Sequence, residues 1–351
     1  MLLQRAVCRS WCRHMAEPLM PSYSASKYMK PRTILLRSLR SSPQHQRPAR
    51  SGNLKTSPPF ENYTLGGAIP RGTVMKAVIF TSAFSIGCFM SCTILEYENT
   101  RNMMIEKARL SRFPWLRQST VSREQGVFTE IKQEVRGFWD KLSPGERVFM
   151  PLCALNVLVF GLWRVPSLRN TMMTYFCSNP AGRAICWPMF LSTFSHYSLF
   201  HLFANMYVLH SFSNAAVLSL GKEQFLAVYL SAGVIASLTS ILYKTLTAQS
   251  GLSIGASGAI MAILAYVCAK YPDTQLSILF LPMLNFSAGA AIQVIIGVDL
   301  AGCLLGWKFF DHAAHLGGAL FGLFWVYYGT ELWQKRIPFL TMYHDLRKTK
   351  K

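Results

Sequence analysis

The chain has 351 residues, 51% of them hydrophobic and only 15% charged, with a formal net charge of +20. That apolar share is high, and the charge low, for a soluble protein. The distribution of the charge argues against nucleic acid, because half of it sits in a leader: residues 1–60 hold eleven Lys/Arg and a single acid, Glu17.

The leader opens "MLLQRAVCRSWCRHM", with Arg5, Arg9 and Arg13 spaced four apart. On a helix these share a face, leaving Leu2, Leu3, Val7 and Trp11 for another. A basic, acid-poor, Ser-rich segment of this kind reads as a mitochondrial transit peptide, and 1–75 is expected to be leader and disordered linker. Seven apolar segments follow, at 76–95, 148–164, 199–219, 224–243, 254–270, 287–306 and 311–330. A helix of about 20 residues crosses the ~30 Å hydrocarbon layer, and lipid offers backbone groups no partner, so each is expected to be helical. The predicted fold is an all-α polytopic membrane protein, with one N-terminal transmembrane helix at 76–95 and a six-helix bundle at 148–330. Between them, 96–147 carries ten Lys/Arg and eight acids and is expected to form one or two amphipathic interfacial helices. Residues 165–198 form a long loop. The stretch "LSILFLPML" at 276–284 is too short and Pro-broken to span, and is expected to dip into the interface. Residues 331–351 form a basic tail.

Consecutive spans alternate in direction, so the first, third, fifth and seventh start on one face, called side A. Import through the leader, with the first span stopping transfer, puts side A in the matrix. The basic tail argues for the opposite orientation by the positive-inside rule. The third span opens "HLFANMYVLH", the fifth "IGASGAIMA" and the seventh "DHAAHLGGALFG". His201, Asn205, Ser257 and His315 therefore reach a similar depth below side A.

Polar residues inside spans are costly and usually face the bundle interior. A serine alone is commonly structural there. Together the four suit serine hydrolysis, which needs a nucleophilic oxygen, a base within hydrogen-bond reach and donors for an oxyanion. Ser257 supplies the first and His315 the second. His201 and Asn205, on one helix face, would join the Ser257 amide as donors. Gly255 and Gly258 bracket the serine and would let a substrate backbone approach. Gly318 and Gly322 form a GxxxG that would pack the seventh span against the fifth. His312 is a rival base placed nearer the surface, Asp311 an interfacial anchor, and His196 a holder of the loop. Asp299, the one carboxylate well inside a span, is not assigned to the site. The cysteines show no metal-ligand spacing, so no metal or cofactor is expected; Cys177 and Cys186 share a loop and are a candidate disulfide in an oxidising compartment. Two other function classes fit parts of the pattern: a non-catalytic binder of transmembrane clients, and a transporter using His201, His315 and Asp299 as relays.

"GASG" around Ser257, "AHLGGALFG" around His315 and "HYSLFHLFAN" around His201 and Asn205, in that order, resemble the rhomboid intramembrane serine proteases. The one-plus-six layout with a basic leader is similar to their mitochondrial, presenilin-associated rhomboid-like branch. The resemblance covers 148–330. It implies a Ser257–His315 dyad with no acidic third member, and an oxyanion site from His201, Asn205 and the Ser257 amide. It also implies a multi-pass protein of the mitochondrial inner membrane. The implied substrates are single-span transmembrane proteins, among them a dynamin-like GTPase and a kinase tied to mitochondrial fusion, mitophagy and quality control. Two positions depart from the family pattern. Trp187-Pro188 stands where many members have Trp-Arg, and Met261 stands where many have a tyrosine stacked on the catalytic histidine.

Overall fold

The computed structural model describes residues 69–112, 127–196, 198–278 and 281–349. Most of the expected leader, and the "FPWLR" stretch of the linker, lie outside the described residues. Helix α1, Thr73–Arg112, is 40 residues long, about 60 Å at 1.5 Å per residue, or twice the hydrocarbon thickness. The apolar segment at 76–95 occupies its first half. The helix does not stop there, because "EYENTRNMMIEKARLSR" contains neither Gly nor Pro and is rich in helix formers. Helix α2, Val127–Lys141, exposes Ile131, Val135, Phe138 and Trp139 at i, i+4, i+7 and i+8, one apolar stripe.

Helix α3, Pro144–Leu162, begins with a capping box in which Glu146 N donates to Ser143 Oγ (3.2 Å) and Ser143 N to Glu146 Oε2 (2.7 Å). Short helices α4 (Arg169–Tyr175) and α5 (Cys186–Leu191) shape the following loop. Then come α6 (Leu199–Leu220), α7 (Lys222–Leu246) and α8 (Ser257–Lys270), strands β1 (Gln275–Ile278) and β2 (Leu281–Ser287), and helices α9 (Ala288–Leu305), α10 (His312–Gln334) and α11 (Ile337–Thr349). Among the described residues four helices, α1, α3, α7 and α9, are long and apolar enough to cross a membrane by length and composition; α8 is apolar but shorter.

The strands correct the all-α expectation. Gln275–Ile278 pairs antiparallel with Leu281–Ser287, Gln275 opposite Ser287 and Leu276 opposite Phe286. Pro282 bars a helix there, and a segment too short to span satisfies its backbone by pairing with itself. Cys177 and Cys186 are both free thiols rather than a disulfide.

Contacts fix the helix directions. Ala77 of α1 clusters with Val234 and Ile241 of α7, whereas Cys92, four turns on, meets Ala227 near the start of α7 and Trp333 near the end of α10. Helix α1 thus runs antiparallel to α7 and parallel to α10. Ser219 and Tyr266, near the ends of α6 and α8, bond at 2.8 Å, so those two are parallel. The core centres on α8, where Ala259, Ala262, Ile263 and Ala265 are wholly buried. Its closest neighbour is α10. A Cβ at Gly318 would lie 1.9 Å from the Gly258 carbonyl oxygen, and one at Gly322 would lie 2.2 Å from that of Ala262. The bare glycine face puts backbone against backbone.

Candidate active site

The serine is delivered by a tethered loop. Ser253 exchanges two backbone hydrogen bonds with Ser178, both 2.9 Å, and Gly255 N donates to Ser192 O at 3.0 Å. Gly255 holds φ +125°, open only to a residue without a Cβ, and turns the chain into α8. Ser257 is the first residue of α8, so its amide stands among the unpaired N–H groups at the positive end of the helix.

The hydroxyl of Ser257 lies 2.8 Å from His315 Nε2. His315 sits one turn into α10. The His201 ring closes the other side: a Cβ at Gly255 would lie 2.9 Å from His201 Cε1 and 3.7 Å from Ser257 Oγ. Gly255 therefore makes room for His201 beside the serine. Asn205, one turn deeper in α6 and buried, donates through Nδ2 to the His201 carbonyl at 2.8 Å, which commits one of its two amide hydrogens to its own helix. Gly258 packs against α7. Its missing side chain is replaced by Ala236 of α7, 2.5 Å from where a Cβ would be, so its smallness serves helix packing.

Three polar residues are placed otherwise than expected. Asp299 of α9 belongs to the site: its Oδ1 lies 3.4 Å from His315 Nδ1 and 2.8 Å from His312 Nδ1, with its side chain 6% exposed. His312 is not a surface base. It is buried, bonds Asp299, and fills the space beside Gly302, where a Cβ would come within 2.4 Å of its ring. Asp311 is not an interfacial anchor. Its Oδ1 accepts from Ala314 N (3.1 Å) and caps α10. Its Oδ2 accepts from Lys244 Nζ (2.9 Å), Ser240 Oγ (2.6 Å) and Ser253 Oγ (2.5 Å).

The aromatic beside the catalytic-type histidine comes from an unexpected place. Met261 packs among Leu264, Ala265 and Ala319. Phe310, just ahead of α10, puts its ring 6.1 Å from that of His315, tilted by 32°. His196 is 1% exposed, its ring 5.0 Å from that of His201. Burial first, and then the nearby His201, push its imidazole down to about 3. Among the described residues no group of three His, Cys, Asp or Glu is placed to hold a metal ion.

With Asp299 near Nδ1 and Ser257 at Nε2, His315 has its two ring nitrogens in distinct roles. An N–H held toward the carboxylate leaves Nε2 as the acceptor facing the serine. The arrangement can take a proton from a hydroxyl at the mouth of a helix N-terminus, which is the chemistry of an activated serine.

The rhomboid-domain family profile matches residues 183–331, which holds every residue of this site. The chain is 50% identical over 279 residues to the presenilin-associated rhomboid-like protein, mitochondrial, of Homo sapiens, covering 79% of this chain and 73% of that one. The Bos taurus protein of the same name gives the same identity and coverage. This chain is 32% identical over 198 residues to Rhomboid protein 1, mitochondrial, of Saccharomyces cerevisiae, covering 56% of this chain and 57% of that one. Identity of that degree along most of the chain, laid over a serine–histidine pair on two apposed apolar helices, makes this chain a member of the rhomboid family, akin to its mitochondrial presenilin-associated rhomboid-like proteins.

Proposed function

We propose that the protein is a serine endopeptidase of the mitochondrial inner membrane that cleaves single-span transmembrane segments, built as one transmembrane helix plus a six-helix rhomboid core. The observation that carries this reading is the 2.8 Å approach of Ser257 Oγ to His315 Nε2, at the start of two helices that run the same way. Rhomboids as a family are intramembrane serine proteases, and the relatives are named mitochondrial.

The reaction divides among the residues as follows. The Ser257 hydroxyl passes its proton to His315 Nε2 as Oγ attacks the scissile carbonyl. Asp299 faces Nδ1, orients the ring and stabilises the imidazolium that forms. The oxyanion that develops is met by the Ser257 amide, with His201 and the remaining Asn205 hydrogen on the α6 side. His315 then protonates the leaving amine, and water repeats the cycle on the acyl-enzyme. A substrate helix must open locally to offer its carbonyl, because a helical carbonyl is already hydrogen-bonded. The dynamin-like GTPase and the kinase of the inner membrane are substrates to try first.

Purified wild type and Ser257→Ala, compared in detergent on a single-span substrate, test the reading. Wild type is expected to cleave and the variant to bind without cleaving. Equal cleavage by both ends the proposal. Binding without cleavage by both favours the non-catalytic client binder.

A further inference from the structure

Resting on the assignment of Ser257 and His315 as the reacting pair, a second cluster nearby has a role of its own. Ser253 lies four residues before Ser257, and Asp311 lies four residues before His315. These two residues meet on one carboxylate oxygen, Asp311 Oδ2, at 2.5 Å, and Lys244 of α7 donates both to that oxygen (2.9 Å) and to Ser253 Oγ (2.6 Å). Ser240 completes the set, bonding Asp311 Oδ2 at 2.6 Å. The side chains of Lys244 and Asp311 are only 11% and 18% exposed. The loop that carries the nucleophile and the helix that carries the base are thus tied, at matching distances upstream, to the same ion pair.

The cluster is not a second nucleophile–base pair. The Ser253 proton goes to Asp311, and Lys244 donates to Ser253 rather than accepting from it, so no free lone pair on nitrogen faces the hydroxyl. Nor is it needed as a store of stability, since buried ion pairs are often replaceable by apolar residues without loss. What an ion pair provides that an apolar contact does not is directional register.

We propose that Lys244 and Asp311 are positioning residues: their buried pair, gripping Ser253, sets the register between the Ser257 loop and the His315 helix and so holds the hydroxyl within reach of the base. A displacement of about 1 Å in such a pair costs on the order of 100-fold in rate.

The test uses the full-length protein in detergent and the variants Lys244→Met, Asp311→Asn and the double Lys244→Met/Asp311→Asn, in which the asparagine keeps the cap on α10. Three quantities are read: thermal midpoint, kcat and KM on a single-span substrate, and the rate at which a fluorophosphonate labels Ser257. The double variant leaves no buried charge unpaired, so its midpoint is expected to return toward wild type even if the single variants fold poorly. Its kcat and labelling rate are expected to stay about 10- to 100-fold low, with KM changed less than about twofold. A double variant that regains both midpoint and wild-type rate shows that the pair only supports the fold, and overturns the inference while leaving the protease reading intact. Wild type that neither labels nor cleaves overturns the protease reading, and the inference falls with it.

Discussion

Replacing Gly318 by alanine tests how the α8–α10 contact sets the geometry of the site. The new Cβ would sit 1.9 Å from the Gly258 carbonyl oxygen. Carbon and oxygen settle no closer than about 3.3 Å, so the helices must part by about 1.4 Å. The clash is with backbone, and no side-chain rotation relieves it. Gly258 adjoins Ser257, and Gly318 lies one turn beyond His315, so the parting passes directly to the reacting atoms. Their 2.8 Å separation widens to about 4.2 Å, beyond a hydrogen bond. The expected result is a kcat lower by about 100-fold, with a stability loss of about 1–3 kcal/mol from overpacking. Gly322→Ala provides the comparison. Its Cβ meets the Ala262 carbonyl at 2.2 Å, one further turn from the site, so it should lose similar stability and less activity. Cleavage rate and thermal midpoint, measured side by side in detergent, decide the matter. Wild-type kcat and midpoint in Gly318→Ala would refute the claim that bare backbone contact holds Ser257 to His315.

Two further outcomes are expected. Asp299→Asn removes the charge facing His315 Nδ1 while keeping the shape, and should lower kcat by about 100-fold with little change in KM; unchanged kcat would return Asp299 to a purely structural place beside His312. His196 makes folding sensitive to acid: its folded value of about 3 lies below the ordinary 6.5, so the unfolded chain binds the proton first. Stability is then full above pH 6.5 and falls by about 1.4 kcal/mol per unit below it. The thermal midpoint of wild type should drop between pH 7 and pH 5 more than that of His196→Gln, and equal slopes would exclude this histidine as the cause.

The order of apolar segments, the serine between glycines, the histidines and the GxxxG face were all legible in the chain, because membrane helices impose length and composition, and because alternation alone puts the starts of α6, α8 and α10 on one side. Asp299 escaped that reasoning for a physical reason. Helix α9 runs against α10, so Asp299, near the end of α9, comes level with His315, one turn into α10. Comparing helix starts leaves it out; comparing depth along antiparallel helices finds it. The pairing of β1 with β2 was half visible, in that the Pro and the length of the segment excluded a span, while strand pairing depends on partners that composition does not name.

The amino-acid order by itself determined which segments are apolar, where helices cannot continue, and which side chains carry chemistry, since these follow from local composition and from the cost of polar groups in lipid. Only the tertiary structure decided which carboxylate turns toward His315 and that Asp311 pairs with Lys244, 67 positions away. It alone placed Phe310, and not Met261, beside the His315 ring. Those choices are contacts between distant helices, fixed by how the bundle packs, and no local pattern encodes them.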